Sequence, residues 1–229
     1  MKDRDIKVIN GFKHIRYKNR MFSENEMLQN SAIYYNSMQL RRSIRFFSSQ
    51  KVNRAIIENC IKTAGTAPSG ANKQPWTFCV VQDSEIKHKI RVAAEEEEKK
   101  SYADRMSDTW LHDLAPMATD ASKPFLEKAP FLIIVFKQLF TYANDGKKHQ
   151  NYYVNESVGI AVGLLISAIH NAGLVTLTHT PSPMRFLEKI LDRPDNERAY
   201  LVLPVGYPEN ECFVPDLKRK NLNEIAVFY

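Results

Sequence analysis

The sequence predicts an α+β fold in which a mixed sheet surrounds one buried helix. Four short apolar runs are typical of strands and about five segments show helical spacing, and the two kinds are mixed in order along the chain. No glycine-rich nucleotide fingerprint follows a strand, which excludes a Rossmann domain and a P-loop. At 44% hydrophobic, the 229 residues can build one domain with a real core, so a disordered chain is excluded.

The N-terminal part of the chain predicts a polar arm and then two helices. Residues 1–22 are basic and contain no apolar stretch, so we expect neither a signal peptide nor a membrane anchor. Ser23 and Glu26 form a capping box, which opens a helix with apolar residues at helical spacing. A second helix follows and ends at Gly65. Its apolar face consists of Ile56, Ile57, Cys60, Ile61 and Ala64.

Strands and helices continue through the middle of the chain. A long turn at 66–76 leads into an apolar strand at 76–82, after which Asp83 opens a third helix. Residues 101–125 show no clean period and predict a mobile cover. The apolar run at 131–136 predicts a short buried strand.

The longest apolar helix is predicted at about 152–172. Polar residues interrupt it, so we interpret it as a core helix rather than a membrane span. Further strands are predicted at 174–180 and 200–208, with a short helix between them. The remaining residues, 209–229, are polar with an apolar tip that has nothing local to pack on, so this tip is expected to cross to a partner chain.

The charge of the protein is concentrated near its N-terminus. Residues 1–54 contain 12 Lys and Arg against 4 Asp and Glu, whereas residues 55–229 contain 20 against 22. The basic residues are spread between apolar ones, which is a weak footprint for nucleic acid. Three scattered cysteines predict a reducing compartment, and we expect a cytoplasmic protein.

Two segments carry residue types that suit a phosphorylated, planar ligand. Arg41, Arg42 and Arg45 with Ser43 match phosphate oxygens, although a solvated helix end explains the same cluster equally well. In the loop at 67–76, small residues allow a ligand close to backbone amides, and an ordinary Pro/Gly loop is the alternative.

A third candidate lies at the end of the strand at 174–180. The hydroxyls of Thr178 and Thr180 face one way, and His179 faces the other. A lone histidine is more often a structural residue than a ligand. In a different segment, the acidic run Glu95–Glu98 is typical of a solvated helix face. No carboxylate pair, Ser/His/Asp set or metal-ligand spacing stands out, so no metal is expected.

Together, six segments in order resemble the nitroreductase-like flavoprotein superfamily and, within it, the iodotyrosine deiodinases. They are RRSIRFF, TAPSGANKQPWTF, EEEEKKSYADRM, THTPSPM, LPVGYP and VPDLKRK, and the resemblance covers about residues 27–229. It implies a nitroreductase-like α+β fold, a mixed central sheet flanked by helices, with N- and C-terminal extensions that wrap a dimer partner. The implied domain is 23–208, with a lid at about 99–125, between the arm and the extension 209–229.

The resemblance also implies an FMN site. The residues implied to bind the phosphate and ribityl chain are Arg41, Arg42, Ser43, Ile44, Arg45 and Arg219. Ser69 and Gly70 would line the flavin, and Thr178 and His179 lie in the flavin-contacting segment. Thr180 is expected to hydrogen-bond flavin N5 as a catalytic residue. The other implied catalytic residue, Ala71, would present its backbone amide to the substrate phenolate.

For the substrate, the resemblance implies Glu98, Tyr102 and Lys123. Glu98 and Tyr102 are four residues apart and share a helix face. A carboxylate pairs with a ligand ammonium and a lysine with a ligand carboxylate, so the three residues suit an amino-acid zwitterion. The implied reaction is FMN-dependent reductive dehalogenation of halotyrosines, 3-iodotyrosine to tyrosine and iodide. Its electrons would come from NAD(P)H or a reductase, in a homodimer with FMN at the interface.

Two alternatives remain open. The first is a general nitroaromatic or quinone reductase on the same fold, which would have no grip on an amino-acid zwitterion. The second is a basic-armed module that binds nucleic acid, which would be colourless and would lose affinity steeply with salt. We expect neither a nucleic-acid nor a membrane partner.

Overall fold

The computed structural model describes residues 5–229, so the first four residues of the predicted arm 1–22 lie outside the described part. The chain divides into a first unit that ends at Leu40 and a second unit, Arg41–Tyr229. The boundaries proposed from the sequence, at residues 23 and 208, stay a prediction.

The first unit begins with a β-hairpin. Strands β1 (Ile6–Ile9) and β2 (Phe12–Ile15) pair antiparallel, and all their side chains are exposed. Asn10 and Gly11 connect them at φ 49° and 82°, the left-handed conformation that a two-residue hairpin turn requires. Helix α1 (Glu24–Gln39) follows. Its predicted capping box is present, because the Ser23 side chain accepts from the Glu26 N–H and the Glu26 carboxylate accepts from the Ser23 N–H.

The second unit alternates helices and strands. Its helices are α2 (Arg54–Ala64), α3 (Ser84–Lys100), α4 (Asp108–Leu114), α5 (Phe125–Lys128), α6 (Val154–Asn171), α7 (Arg185–Ile190) and α8 (Leu222–Ile225). Its strands are β3 (Trp76–Val81), β4 (Phe131–Gln138), β5 (Phe140–Tyr142), β6 (Lys148–Gln150), β7 (Val175–Thr176) and β8 (Glu197–Gly206). Asp83 caps α3 by accepting from the Ile86 N–H, and Gly65 ends α2, as predicted.

The central sheet has the strand order β3-β4-β8-β7. Its ladders are antiparallel, with Phe131 opposite Val205 in the central pair. One parallel bridge joins Ser43 to Thr176 and makes the sheet mixed. The predicted α+β class with a mixed central sheet is therefore confirmed.

Successive side chains of β4 point to opposite faces of the sheet and enter two separate cores. Ile133 packs on one face with α2 and α6, while Ile134 packs on the other with α3, α5 and α7. This double burial explains why the strand is a continuous apolar run. The predicted core helix α6 thus covers one face of the sheet instead of lying inside it, and Ile160 on its outer side is 47% exposed.

Four segments differ from the sequence expectation, and the first is the predicted polar arm, part of which forms the β1–β2 hairpin. The strand expected at 174–180 is only β7 plus one isolated bridge between His179 and Val202. The expected mobile cover contains a π-helical turn at Ser101–Arg105, α4 and a 3-10 turn at Ala115–Met117. The hairpin β5–β6 was not anticipated. Among residues 5–229, no helix combines the length and apolar character that a membrane crossing needs.

Candidate functional site

A basic cavity of about 310 Å³ lies between the segment that starts the second unit and the C-terminal extension. Five of its lining residues are cations, namely Arg41, Arg42, Arg45, Lys218 and Arg219. Among the residues that the structure describes, its lining contains no carboxylate. Such a surface attracts an anion with several oxygens, because guanidinium groups match phosphate in both charge and shape.

The backbone at residues 43–45 is held against the sheet. The Ile44 N–H donates to the Thr176 carbonyl at 3.2 Å, next to the parallel bridge of Ser43. The Ile44 side chain is therefore buried in the core, whereas Ser43 and Arg45 line the cavity. Of the residues expected to bind FMN, Ile44 can contribute only through its backbone.

The arginines also fasten the C-terminal extension to this segment. Arg219 donates to the Arg41 carbonyl at 2.7 Å, and Arg42 donates to the carbonyl of Pro215. Burial lowers the pKa of the Arg41 guanidinium, and the positive charges of Arg219 and Arg42 lower it further. An anion bound among these groups would relieve this repulsion.

The three residues expected to grip the substrate lie together. Glu98 is in the last turn of α3, Tyr102 is in the π-helical turn that follows, and Lys123 comes just before α5. The Lys123 Nζ lies 3.5 Å from Glu98 Oε2 and 5.5 Å from the centre of the Tyr102 ring. A π-helical turn at this point is a frequent feature of functional sites.

Residues of the cover hydrogen-bond to Lys123 and Tyr102 and fix them in place. Lys123 Nζ donates to Thr119 Oγ1 at 3.1 Å and to the carbonyl of Asp120, while the Tyr102 hydroxyl donates to the Thr119 carbonyl at 3.1 Å. The Lys123 N–H donates to Glu95 Oε1 at 2.6 Å, which ties the base of the cover to α3. Lys123 is therefore fixed at both its backbone and its ammonium group.

Burial acts against both charges of the central pair. It raises the pKa of Glu98, an effect that the charge of Lys123 opposes. It also lowers the pKa of Lys123, an effect that the charge of Glu98 opposes. Each group therefore depends on a partner of opposite charge, which a zwitterionic ligand can supply to both at once.

The acidic run at 95–98 is not simply a solvated helix face. Glu95 accepts from Arg91 Nε at 2.8 Å as well as from the Lys123 backbone. Glu97 pairs with Arg105 at 2.7 Å and with Lys100. The simple interpretation of the sequence was wrong here, because the partners of Glu95 and Glu98 come from the cover, distant in sequence.

The loop around Ala71 has an unusual backbone. Ala71, Asn72 and Gln74 all adopt positive φ, at 48°, 53° and 48°, and the Ser69 hydroxyl stabilises the loop by accepting from the Gln74 N–H. A Cβ at Gly70 would lie 3.0 Å from the carbonyl oxygen of Tyr152, so a side chain there would fit only if its neighbours moved. Non-glycine residues in such conformations cluster at functional sites. Within residues 5–229, the Ala71 N–H donates to no acceptor.

This loop does not line the basic cavity. None of the described residues around that cavity comes from Ser69, Gly70 or Ala71. Within one chain, the arginines at 41–45 therefore lie together with part of the cover and with the C-terminal extension. The loop of Ser69–Ala71 does not take part in this cavity.

The side chains of Thr178, His179 and Thr180 alternate in direction, as expected from the sequence. Both threonines are exposed and His179 between them is buried, whereas Thr176 at the start of the series is buried in the sheet. His179 exchanges two backbone hydrogen bonds with Val202, at 2.9 and 2.8 Å. The threonine hydroxyls are therefore presented on the open side of the sheet edge.

Several lining residues could not be predicted from the sequence. Met117 lines the basic cavity, and Pro116 and Phe213 line a neighbouring cavity of about 280 Å³ that also contains Arg45. Arg45 also affects the cluster of Glu98, Tyr102 and Lys123, which we call the substrate grip. Its positive charge adds to the effect of burial in lowering the pKa of Lys123. Only the basic tail motif around Lys218 was a usable signal, since the cover has no periodic pattern.

Comparison with known proteins places this geometry in a family. The Nitroreductase family matches residues 38–207. A crystal structure of oxidized iodotyrosine deiodinase bound to FMN and 3-iodo-L-tyrosine superposes with a TM-score of 0.72 at 33% identity, covering 86% of this chain and 98% of that one. A BluB-like flavoprotein from Clostridium difficile shares the fold at a TM-score of 0.64 and 21% identity, over 85% of this chain and 98% of its own.

Two sequence relatives are similar over nearly the whole chain. An iodotyrosine deiodinase of Haliscomenobacter hydrossis is 57% identical over 215 residues, 94% of this chain and 97% of that protein. Human iodotyrosine deiodinase 1 is 48% identical over 217 residues, 93% of this chain and 74% of its own length. The chain belongs to the nitroreductase family and, within it, to the iodotyrosine deiodinases.

Proposed function

We propose that the protein is an FMN-dependent oxidoreductase that removes the halogen from halotyrosines, converting 3-iodotyrosine to tyrosine and iodide. The observation that carries the proposal is the buried pair of Glu98 and Lys123 beside Tyr102. A nitroaromatic or quinone reductase has no use for two buried opposite charges, whereas an amino-acid zwitterion needs both. The relatives that share 57% and 48% identity are deiodinases, in keeping with this substrate.

The basic cavity fits the phosphate of FMN. Arg41, Arg42, Arg45 and Arg219 supply cations, and Ser43 supplies a hydroxyl, in a lining that contains no carboxylate among the described residues. The exposed Thr178 and Thr180 would line the flavin, and the Thr180 hydroxyl would serve as a donor to its N5. The His179 side chain is buried and its backbone N–H and carbonyl are bonded to Val202, so this residue contributes to the flavin segment mainly by holding Thr178 and Thr180 in place.

Substrate binding exchanges one internal ion pair for two external ones. The ligand ammonium takes the Glu98 carboxylate, and the ligand carboxylate takes the Lys123 ammonium. Tyr102 adds a hydroxyl and a ring edge, and the cover residues that bond to Lys123 close over the ligand and exclude water. The Ala71 N–H, preset by its left-handed backbone, holds the phenolate oxygen of the substrate.

Bound FMN in its reduced form supplies the two electrons with which the carbon–halogen bond is replaced by carbon–hydrogen, and halide leaves. The protein's own residues position the ring and stabilise its phenolate, while the proton that is added comes from solvent or a site donor. NAD(P)H or a partner reductase is the source of the electrons.

We infer a homodimer with FMN at the subunit interface. In the loop of Ser69–Ala71, Ser69 and Gly70 are half-buried and Ala71 is exposed, and the loop does not line the basic cavity, so a second copy can bring its loop to the flavin. The C-terminal extension supports this arrangement because it ends in exposed apolar residues. They are Leu222, Ile225, Val227, Phe228 and Tyr229. All three cysteines are free thiols, which agrees with a cytoplasmic location.

Cofactor release and a paired turnover assay test the proposal. Chromatography of the flavin from denatured protein should give FMN; FAD or no flavin would contradict the site. The loaded enzyme should release iodide from 3-iodotyrosine faster than it reduces a nitroaromatic. The reverse preference would assign the protein to the general reductases.

A further inference from the structure

His179 occupies a buried position directly behind the substrate grip. Its Nδ1 lies 3.9 Å from Glu98 Oε1, and its ring packs edge-to-face on Phe125 at 5.5 Å. The side chain is only 6% exposed, and within residues 5–229 its Nε2 has no hydrogen-bond partner. A buried imidazole with one nitrogen near a functional carboxylate is unexplained by the fold, because an apolar side chain would fill the same space.

Most of the surroundings of the imidazole disfavour its charged form. Burial lowers the pKa of His179 to about 3, and the positive charges of Lys123 and Arg45 act in the same direction. The Glu98 carboxylate, 3.9 Å from Nδ1, acts in the opposite direction. We assign the single proton of the neutral ring to Nδ1, because a proton there faces the Glu98 carboxylate, whereas one on Nε2 would have no acceptor among the described residues.

We propose that His179 is a positioning residue for Glu98, whose free carboxylate oxygen it holds through Nδ1–H while the ligand occupies the grip. This inference rests on the proposed function. The Lys123 Nζ lies 3.5 Å from Glu98 Oε2. When the ligand carboxylate draws Lys123 away, Glu98 loses that partner. A shift of roughly 1 Å then brings Nδ1 and Oε1 to hydrogen-bonding distance.

A neutral donor suits this task better than a cation. A second cation beside Glu98 would compete with the ligand ammonium for the carboxylate charge. A neutral N–H orients the carboxylate and leaves its charge for the ligand. The proposal therefore gives a reason for a histidine that is kept uncharged at this position.

Two substitutions separate positioning from packing. In His179→Asn the side-chain NH₂ can take the place of Nδ1–H, whereas His179→Leu fills the volume and has no donor. The dissociation constant of 3-iodotyrosine from the FMN-loaded protein, KM and kcat are measured for both, and 2-iodophenol serves as a ligand without the zwitterion. Flavin content is measured on the same preparations.

The leucine variant should bind 3-iodotyrosine about tenfold or more weakly, the loss of one hydrogen bond to a charged group. The loss should fall on KM more than on kcat, the asparagine variant should recover most of it, and binding of 2-iodophenol should change far less. If the leucine variant does not fold, His179→Gln replaces it, because its amide extends to the Nε2 position and should not restore binding.

Equal affinity of wild type and leucine variant for 3-iodotyrosine would overturn the inference, as would equal losses on both ligands or loss of flavin. Any of these three results leaves the proposed function standing as long as the wild type binds and deiodinates 3-iodotyrosine. A wild type that does not bind 3-iodotyrosine would overturn both.

Discussion

The Lys123 ammonium lies 3.5 Å from the Glu98 carboxylate, and only 5% and 11% of the two side chains are exposed. Two charges so deeply buried lose most of their hydration. The stabilisation that water would supply comes instead from the opposite charge and from the oxygens of the cover. The Tyr102 ring adds a cation–π contact at 5.5 Å. The fold thus preorganises the two charges with which an amino-acid zwitterion would form ion pairs.

Removing one member of this pair should destabilise the protein. Lys123→Met leaves Glu98 buried without its cation, so the free energy of unfolding should fall by about 3–5 kcal/mol. Adding Glu98→Gln to the same chain should recover part of the loss. Denaturant unfolding of the single and double variants measures both, and a loss below about 1 kcal/mol would show that the pair is not coupled in solution.

The same residues should affect one class of substrate. Glu98→Gln and Lys123→Ala should each raise KM for 3-iodotyrosine, because each removes one of the two ligand ion pairs. Turnover of an iodophenol without the zwitterion should change little, since it never uses those charges. If both substrates lose equally, the two residues serve only the fold.

Arg45 should contribute directly to the affinity for FMN. Loss of a charge-assisted contact in Arg45→Ala costs about 1.5–3 kcal/mol, which is a weakening of about 10- to 150-fold. Arg54→Ala is the matched control, because Arg54 pairs with Glu58 on the exposed start of α2. Fluorescence titration of the apoprotein with FMN gives both constants. Unchanged retention in Arg45→Ala would remove Arg45 from the site.

Thr180 should distinguish two kinds of reduction. Its exposed hydroxyl is proposed to donate to flavin N5, a contact that favours one-electron over hydride chemistry. In Thr180→Ala, deiodination should fall while nitroaromatic reduction persists, and the affinities for FMN and 3-iodotyrosine should change little. A role limited to the chain turn before Pro181 predicts instead that stability and both activities fall together.

His179 should make the protein sensitive to acid. Its pKa falls from 6.5 to about 3 on folding, so the unfolded chain takes up this proton first. The stabilisation is present above pH 6.5 and is lost as the pH falls towards 3. Between about pH 7.5 and pH 5, wild type should lose about 2 kcal/mol more unfolding free energy than His179→Leu. Parallel pH profiles of the two proteins would show that the imidazole is not kept neutral.

Local signals were enough to predict the principal elements of the fold. The capping box at Ser23 and the cap at Asp83 depend on neighbouring residues, so they can be read directly from the chain. The run of β4 is apolar because both faces are covered, and length and composition alone identify it as a buried strand. The β1–β2 hairpin was missed although Asn10-Gly11 is a strong signal for its turn.

The site was predictable only where residues fall in short motifs. The arginines at 41–45 lie within five residues of one another. The resemblance named Glu98 and Lys123 as substrate-binding residues; the two side chains lie 3.5 Å apart, and their role in substrate binding stays a prediction. The contact between the Lys123 backbone and Glu95 depends on how the cover folds against α3, and the cover has no periodic pattern to indicate it. Contacts between distant segments of this kind follow from tertiary packing and not from local sequence.

A single-turnover experiment on the reduced protein shows whether it is a deiodinase. FMN-loaded protein is reduced chemically without oxygen, mixed with 3-iodotyrosine, and assayed for iodide and tyrosine. We expect one iodide and one tyrosine for each flavin that is reoxidised, and far less iodide from 2-iodophenol. Reoxidation without iodide release, or equal release from both compounds, would contradict the proposed deiodination.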